Sequence, residues 1–253
     1  MYDGGRMISA TDKRRKTIPR RTLVLLVAVI AIFILVVPIV TYISTYESSF
    51  SFSLDIVNEG PDIEQFTVIL PCPQNSEFLR RVNDSGLGTS AFPQESVSFD
   101  YGLESVATTS GAVYMIRIWT ISSTFPSGSQ MYLGSRIDSG HRINTDSPIG
   151  KESLMEPIMN VTRVSDGDQA TGNPGYDILF DSICFTSYVG NESTGGISIW
   201  LKWEGWNEWF LFNSQGTGFA QHLMLNLIES HHAIPQSPHV GWNAVQGGIS
   251  TDL

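Results

Sequence analysis

Residues 50–56 read FSFSLDI, with Phe50, Phe52, Leu54 and Ile56 alternating against Ser51, Ser53 and Asp55. A period of two is that of a β-strand, whose successive side chains point to opposite faces. One face of this strand is apolar and the other is wet. Asn58-Glu59-Gly60-Pro61 follows with turn chemistry, and Phe66, Val68 and Leu70 resume the alternation until Pro71 and Pro73 end it. The same reading extends along the chain. Val113–Ile121 (VYMIRIWTI) is a third strand, and Asp177–Val189 (DILFDSICFTSYV) is a fourth. Ile197, Ile199, Leu201 and Trp203 make a fifth. Glu204-Gly205-Trp206-Asn207 reads as a hairpin loop returning through Glu208–Phe212.

Short strands separated by Gly, Pro, Asn and Ser imply an all-β fold, an antiparallel β-sandwich-like domain over residues 47–253. Residues 122–176 are rich in Ser, Gly, Asp and Pro and are expected as long loops. Residues 219–230 (FAQHLMLNLIES) fit either period. Phe219, Leu223 and Leu227 suit a helix and Leu223, Leu225 and Leu227 suit a strand, and the reading leans to one short helix packed on the sheet.

Upstream, the pattern changes entirely. Thr22–Ile43 reads TLVLLVAVIAIFILVVPIVTYI, and no ionisable acid or base occurs from Thr22 to Tyr46. About 20 helical residues cross a hydrocarbon core of about 30 Å, and in that medium a helix satisfies its own backbone. Residues 22–43 are therefore expected as a transmembrane helix, whose partner is the lipid bilayer. A cleaved signal peptide would have a shorter apolar core, of about 7–15 residues, and a small-x-small site after it. Charge divides at the same place. Residues 1–21 carry seven bases (Arg6, Lys13, Arg14, Arg15, Lys16, Arg20, Arg21) against Asp3 and Asp12, whereas the chain from Glu47 onward holds 23 acids and 8 bases. By the positive-inside rule, residues 1–21 are a basic cytoplasmic tail, expected to be disordered. Residues 47–253 are then an extracytoplasmic domain of a cell-membrane protein.

Candidate sites are few. Cys72 and Cys184 are the only cysteines. They form a disulfide candidate in an oxidising compartment, the alternative being two buried thiols acting as small hydrophobes. Asn83, Asn160 and Asn191 begin N-x-S/T triplets and are glycosylation candidates. Asp166 and Asp168 sit in SDGDQATGNPGYD, which lacks the regular positions of a helix-loop-helix calcium site and leaves calcium a weak candidate. His231, His232 and His239 are weak metal candidates without the usual i, i+4 pair. Trp200, Trp203, Trp206 and Trp209 recur every three residues. Trp206, at the expected loop tip, is a candidate exposed platform for a protein or glycan partner, against the plainer reading of a tryptophan-rich core.

No G-x-S-x-G, P-loop or G-x-G-x-x-G pattern is present. The acidic outer part disfavours nucleic acid. The expectation is a single-pass anchored β-domain with a non-catalytic binding or structural role at the envelope and no cofactor. The alternative is a metal-dependent enzyme assembled from distant residues, or an accessory subunit of a larger membrane complex. For the latter, a span with only Ala28 and Ala31 as small residues is a poor packing surface.

Overall fold

The computed structural model describes residues 19–93, 97–108, 111–121, 124–164, 177–190, 196–211, 213–228 and 238–251. The chain divides into two compact units between Ser44 and Thr45. Among the described residues the first is one helix, α1 (Arg20–Thr45), whose last residue belongs to the second unit and whose boundaries lie two residues outside the expected span. At about 1.5 Å per residue its 26 residues reach about 39 Å, so it is long and apolar enough to cross a membrane. None of its residues is buried by protein. Pro38 lies within it and lacks the N–H that would close the bond to the carbonyl four residues back. Near the helix end the hydroxyls turn inward: Thr41 Oγ1 donates to the Val37 carbonyl (2.8 Å) and Ser44 Oγ to that of Thr41 (3.1 Å). A polar side chain is thereby satisfied without water.

The second unit is mostly antiparallel sheet. Its strands are β1 (Glu47–Asn58), β2 (Ile63–Pro73), β3 (Gly88–Phe92), β4 (Phe99–Thr108), β5 (Gly111–Thr120), β6 (Thr124–Phe125), β7 (Gln130–Asp138), β8 (Met155–Glu156), β9 (Met159–Arg163), β10 (Ile178–Gly190), β11 (Gly196–Leu211), β12 (Asn213–Ile228) and β13 (Pro238–Thr251). They form one sheet in the order β3-β7-β1-β11-β12-β13-β10-β2-β5-β4, with β6 and β8 also on β2 and β9 on β10. The all-β antiparallel expectation holds. The facing layers, however, are parts of one sheet that curls, because its two ends meet: Tyr101 of the edge strand β4 accepts a hydrogen bond through its hydroxyl from the N–H of Leu87, next to β3 at the other edge (3.0 Å).

The interior is what FSFSLDI foretold. Phe50, Phe52, Leu54 and Ile56 are buried together with Ile199, Leu201 and Trp203 of β11, Phe219 and Leu223 of β12, Phe180 and Cys184 of β10, and Phe66, Val68 and Leu70 of β2, in one apolar cluster. At about 25 cal/mol per Å² of apolar surface removed from water, such alternate burial is the main favourable term for the fold. Trp203 sits at its centre. Its ring stacks on Phe50 (5.0 Å between centroids) and meets Phe78 edge-on (5.9 Å), and its Nε1 donates to the Ser153 carbonyl (2.8 Å).

Three expectations are corrected. Residues 204–207 are not a hairpin loop, since β11 runs through them to Leu211 and the hairpin closes at Leu211–Asn213. The turn-like residues there serve the interior. A side chain at Gly205 would meet the Phe219 ring at 2.5 Å, and buried Asn207 uses its amide to pair with the backbone of Ile143 (3.0 and 2.8 Å). Residues 219–228 are strand, not helix, because Phe219, Gln221, Leu223 and Leu225 all point inward at a period of two. The one short packed helix lies elsewhere, at α2 (Ser76–Asn83), capped by the Asn75 side chain, which accepts from the N–H groups of Glu77 and Phe78. The expected loop region 122–176 contains the nine-residue strand β7, whose Met131, Leu133 and Ile137 are buried.

The segment between β7 and β8 is held against the sheet by two buried amides. Asn207 holds Ile143. Gln221 accepts the Met155 N–H (2.7 Å) and donates to the Met155 carbonyl (3.0 Å). Each amide imitates a strand partner and leaves no buried peptide group of those two residues unpaired.

Candidate functional site

The described residues among those that the sequence singled out do not form one cluster. Cys72 and Cys184 are free, buried thiols, so the disulfide expectation is corrected. β2 and β10 are neighbours with Phe185 opposite Ile69. Continued by one step, that register puts Cys184 opposite Leu70 and Cys72 two residues farther along. Such diagonal neighbours stand about 7–8 Å apart, beyond the Cα separation of about 4.4–6.8 Å a disulfide needs. Burial pushes the Cys184 thiol up to about 12 and raises that of Cys72 further. Cys72 Sγ donates to the Tyr114 carbonyl (3.3 Å). Both are inert protonated thiols.

Asn83 is the exposed last residue of α2. Asn160 is exposed on β9 with φ of 50°, and its Nδ2 donates to Asp181 Oδ2 (2.8 Å). Asn191, Asp166, Asp168, His231 and His232 lie outside the described residues. His239 stands on β13 opposite Tyr188. Among the described residues no group of three His, Cys, Asp or Glu side chains is arranged to hold a metal.

Two surface features remain. The first is a groove of about 480 Å³ lined by residues 46–49 and by Arg136, Asp138, Ser139, His141 and Arg142. Beside it runs a relay. His141 Nε2 lies 3.2 Å from Glu152 Oε2, and His141 Nδ1 lies 3.3 Å from Ser139 Oγ. The Glu152 carboxylate is nearly covered, and its other oxygen accepts the Asn144 N–H (2.6 Å). The order serine–histidine–carboxylate resembles a nucleophile relay, but the hydroxyl donates to the His141 carbonyl at 2.7 Å and accepts the His141 N–H at 3.3 Å. The shorter contact of the hydroxyl is thus to the backbone of a local turn, and the three groups together clamp the loop.

The second feature is a stripe on the outer face of the sheet. Cross-strand register places Trp242 (β13) opposite Phe185 (β10), Phe185 opposite Ile69 (β2), and Ile69 opposite Arg117 (β5). Trp242 is 50% exposed and meets Phe185 edge-on at 5.5 Å. The Arg117 guanidinium lies over the Trp119 ring at 5.4 Å and within 3.8 Å of Glu104. Trp119 in turn lies along Gly102 of β4. At about 4.8 Å per strand the line from Trp242 to Arg117 is about 14 Å long, an apolar and aromatic strip with a cation at one end. Aromatic faces and arginine supply much contact energy for little conformational entropy.

Trp206, the sequence candidate, is half-buried in mid-strand with its ring packed over Gly218. Trp200 is the more exposed tryptophan of β11, at 39%. Trp242 and Phe185 escaped the sequence reading. Phe185 looked like core in an apolar run, and residues 238–251, with Gly241, Gly247 and Gly248, have no strand-like composition. Gly247 answers to the fold, because a Cβ there would collide with the Phe180 ring and the His222 carbonyl, whereas Gly241 has open space beside it. The signal available was Trp242 itself, a large aromatic between Gly241 and Asn243.

No protein-family model, curated protein or solved structure matches this chain.

Proposed function

We propose that this protein is a single-pass membrane-anchored β-domain whose extracytoplasmic face binds a protein or glycan partner without catalysing a reaction. The observation that carries the binding role is the outer-face row of Trp242, Phe185, Ile69 and Arg117, in register across four strands, in which Trp242 and Arg117 are exposed, Phe185 is half-buried and Ile69 is buried between them. An isolated exposed tryptophan is ordinary, whereas an exposed tryptophan packed on a half-buried phenylalanine, in the same cross-strand row as an exposed guanidinium, suits a partner with an apolar surface and an acidic or hydroxylated rim. The apolar α1 helix and the charge change across it support anchoring with the sheet unit outside. The shorter contact of the Ser139 hydroxyl, to the backbone of its own turn, supports a non-catalytic role.

The test places a photo-crosslinking amino acid at position 242 of the full chain in its native membrane, with Glu59, also exposed, as the control position. A discrete adduct at 242 that is missing at 59 is the expected result, and its mass separates protein from glycan. Identical patterns at both positions would overturn the binding assignment.

A further inference from the structure

The hairpin between β11 and β12 closes where Leu211 stands opposite Asn213, and its outgoing arm ends in Trp209-Phe210-Leu211. Hairpin ends that face water use Gly, Asn and Asp, which supply the turn geometry and meet solvent. The return arm Asn213-Ser214-Gln215 is polar and exposed in that way, but the apolar outgoing arm calls for a physical reason, and its position in the fold supplies one. β1 pairs with β11 from Glu47 opposite Glu208. One step further back, Tyr46 stacks on Trp209 (6.1 Å between centroids, planes 12° apart). One more, and the Thr45 hydroxyl accepts the Phe210 N–H (2.9 Å) and donates to the Phe210 carbonyl (3.3 Å). Thr45 belongs to the uncharged segment that ends at Tyr46. Whatever direction the helix takes, Phe210 is within hydrogen-bond reach of the end of that apolar segment. Phe210 is 47% exposed. The guanidinium of exposed Arg142 lies 5.9 Å from the Tyr46 ring.

We propose that this end of the sheet unit, formed by Tyr46, Trp209, Phe210 and Arg142, is a lipid-contacting foot seated in the interfacial layer of the bilayer. The inference rests on the membrane-anchored reading above. Tyr and Trp rings with an apolar body and a polar edge favour the headgroup boundary. Phe210 places an apolar ring where water is scarce, and Arg142 keeps its charge among phosphates while its stem lies along an aromatic ring. The lipid is the occupant because the covalent chain holds the foot at the end of an apolar span.

The test uses the full chain in phosphatidylcholine vesicles. An environment-sensitive fluorophore is attached through Phe210→Cys or, as control, Glu59→Cys. Glu59 follows β1, up to about 40 Å of extended strand from Tyr46. The buried Cys72 and Cys184 do not compete for the label. Lipids bearing a nitroxide near the headgroup are expected to quench the label at 210 several-fold more than at 59, and Trp209→Phe is expected to remove part of the intrinsic tryptophan fluorescence that the same lipids quench. If position 210 is as open to aqueous quencher as 59 while the chain stays with the vesicles at alkaline pH, the foot is overturned and the anchor stands. If the chain leaves the vesicles, the anchor fails and the foot with it. A label at 210 shielded from aqueous quencher yet untouched by nitroxide lipid overturns the foot in favour of contact with a second copy.

Discussion

α1 and β1 are consecutive in the chain and both carry regularly placed apolar side chains, yet they resolve them in opposite ways. In β1, Phe50, Phe52, Leu54 and Ile56 are at most 2% exposed, because a period of two presents one face to the curled interior and the other to water. In α1 the apolar side chains surround the whole helix and none is buried, so no protein surface answers them. A helix apolar all round is stable where its surroundings are apolar all round. The contrast shows that apolar content alone does not place a segment. The period does, together with whether charge is interleaved or excluded.

The largest effect expected from breaking this comparison is on α1. Ile30→Lys together with Phe33→Lys should abolish membrane retention, since each charge at a span centre costs about 2.5–3.5 kcal/mol. Extraction at alkaline pH should move the double variant to the soluble fraction while the wild type stays in the pellet. A pair of the same kind on the wet face of β1, Ser51→Lys and Ser53→Lys, should leave retention unchanged.

Within β11 the two faces should separate almost as clearly. Trp203→Ala removes a fully buried ring and the donor to Ser153 and is expected to cost about 3–5 kcal/mol in urea unfolding. Trp200→Ala, three residues away on the outer face, should cost less than about 1 kcal/mol. Equal losses would show that β11 does not have one interior face.

Smaller again is the buried amide of Gln221. Gln221→Leu leaves the Met155 N–H and carbonyl without their partner and should cost about 1–3 kcal/mol. Hydrogen exchange should show faster exchange at Met155.

The smallest effect concerns α2. Hydrogen bonds from Arg80 and then Arg81 hold the Glu77 carboxyl down at about 2. A carboxyl lowered on folding stabilises the fold above its ordinary value, and that contribution fades as pH falls from about 4.5 toward 2. The cluster lies at the surface, where solvent screens it. Glu77→Gln should flatten only the acid limb of a stability–pH curve, and added salt should shrink the difference.

Much of the fold was legible in the sequence because alternation over β1, β2 and the first half of β11 reports a half-buried strand directly, and the runs of β5 and β10 report strands with apolar side chains on both faces. What escaped shares one cause: residues chosen for interior fit resemble residues chosen for turns. Gly205 and Asn207 looked like a loop, yet one yields space to Phe219 and the other pairs with Ile143. Gly247 hid β13 in the same manner, and with it Trp242. Met224 and Leu227 made β12 look helical because its outer face is also partly apolar, with Met224 53% exposed. The outer stripe could not be read at all, since it is built by register between four strands distant in sequence. The two cysteines illustrate the same limit, because composition permits a bridge that strand register places out of reach.

The most direct measurement of the central claim uses the buried thiols as a silent background. Lys151 is exposed in the sheet unit, so Lys151→Cys provides a single reactive position in the full chain. Treated with a membrane-impermeant maleimide, intact cells should label this variant fully and the wild type not at all, with Cys72 and Cys184 reacting only after unfolding. Labelling of Lys151→Cys that requires lysis would contradict an anchored domain held outside the cytoplasm.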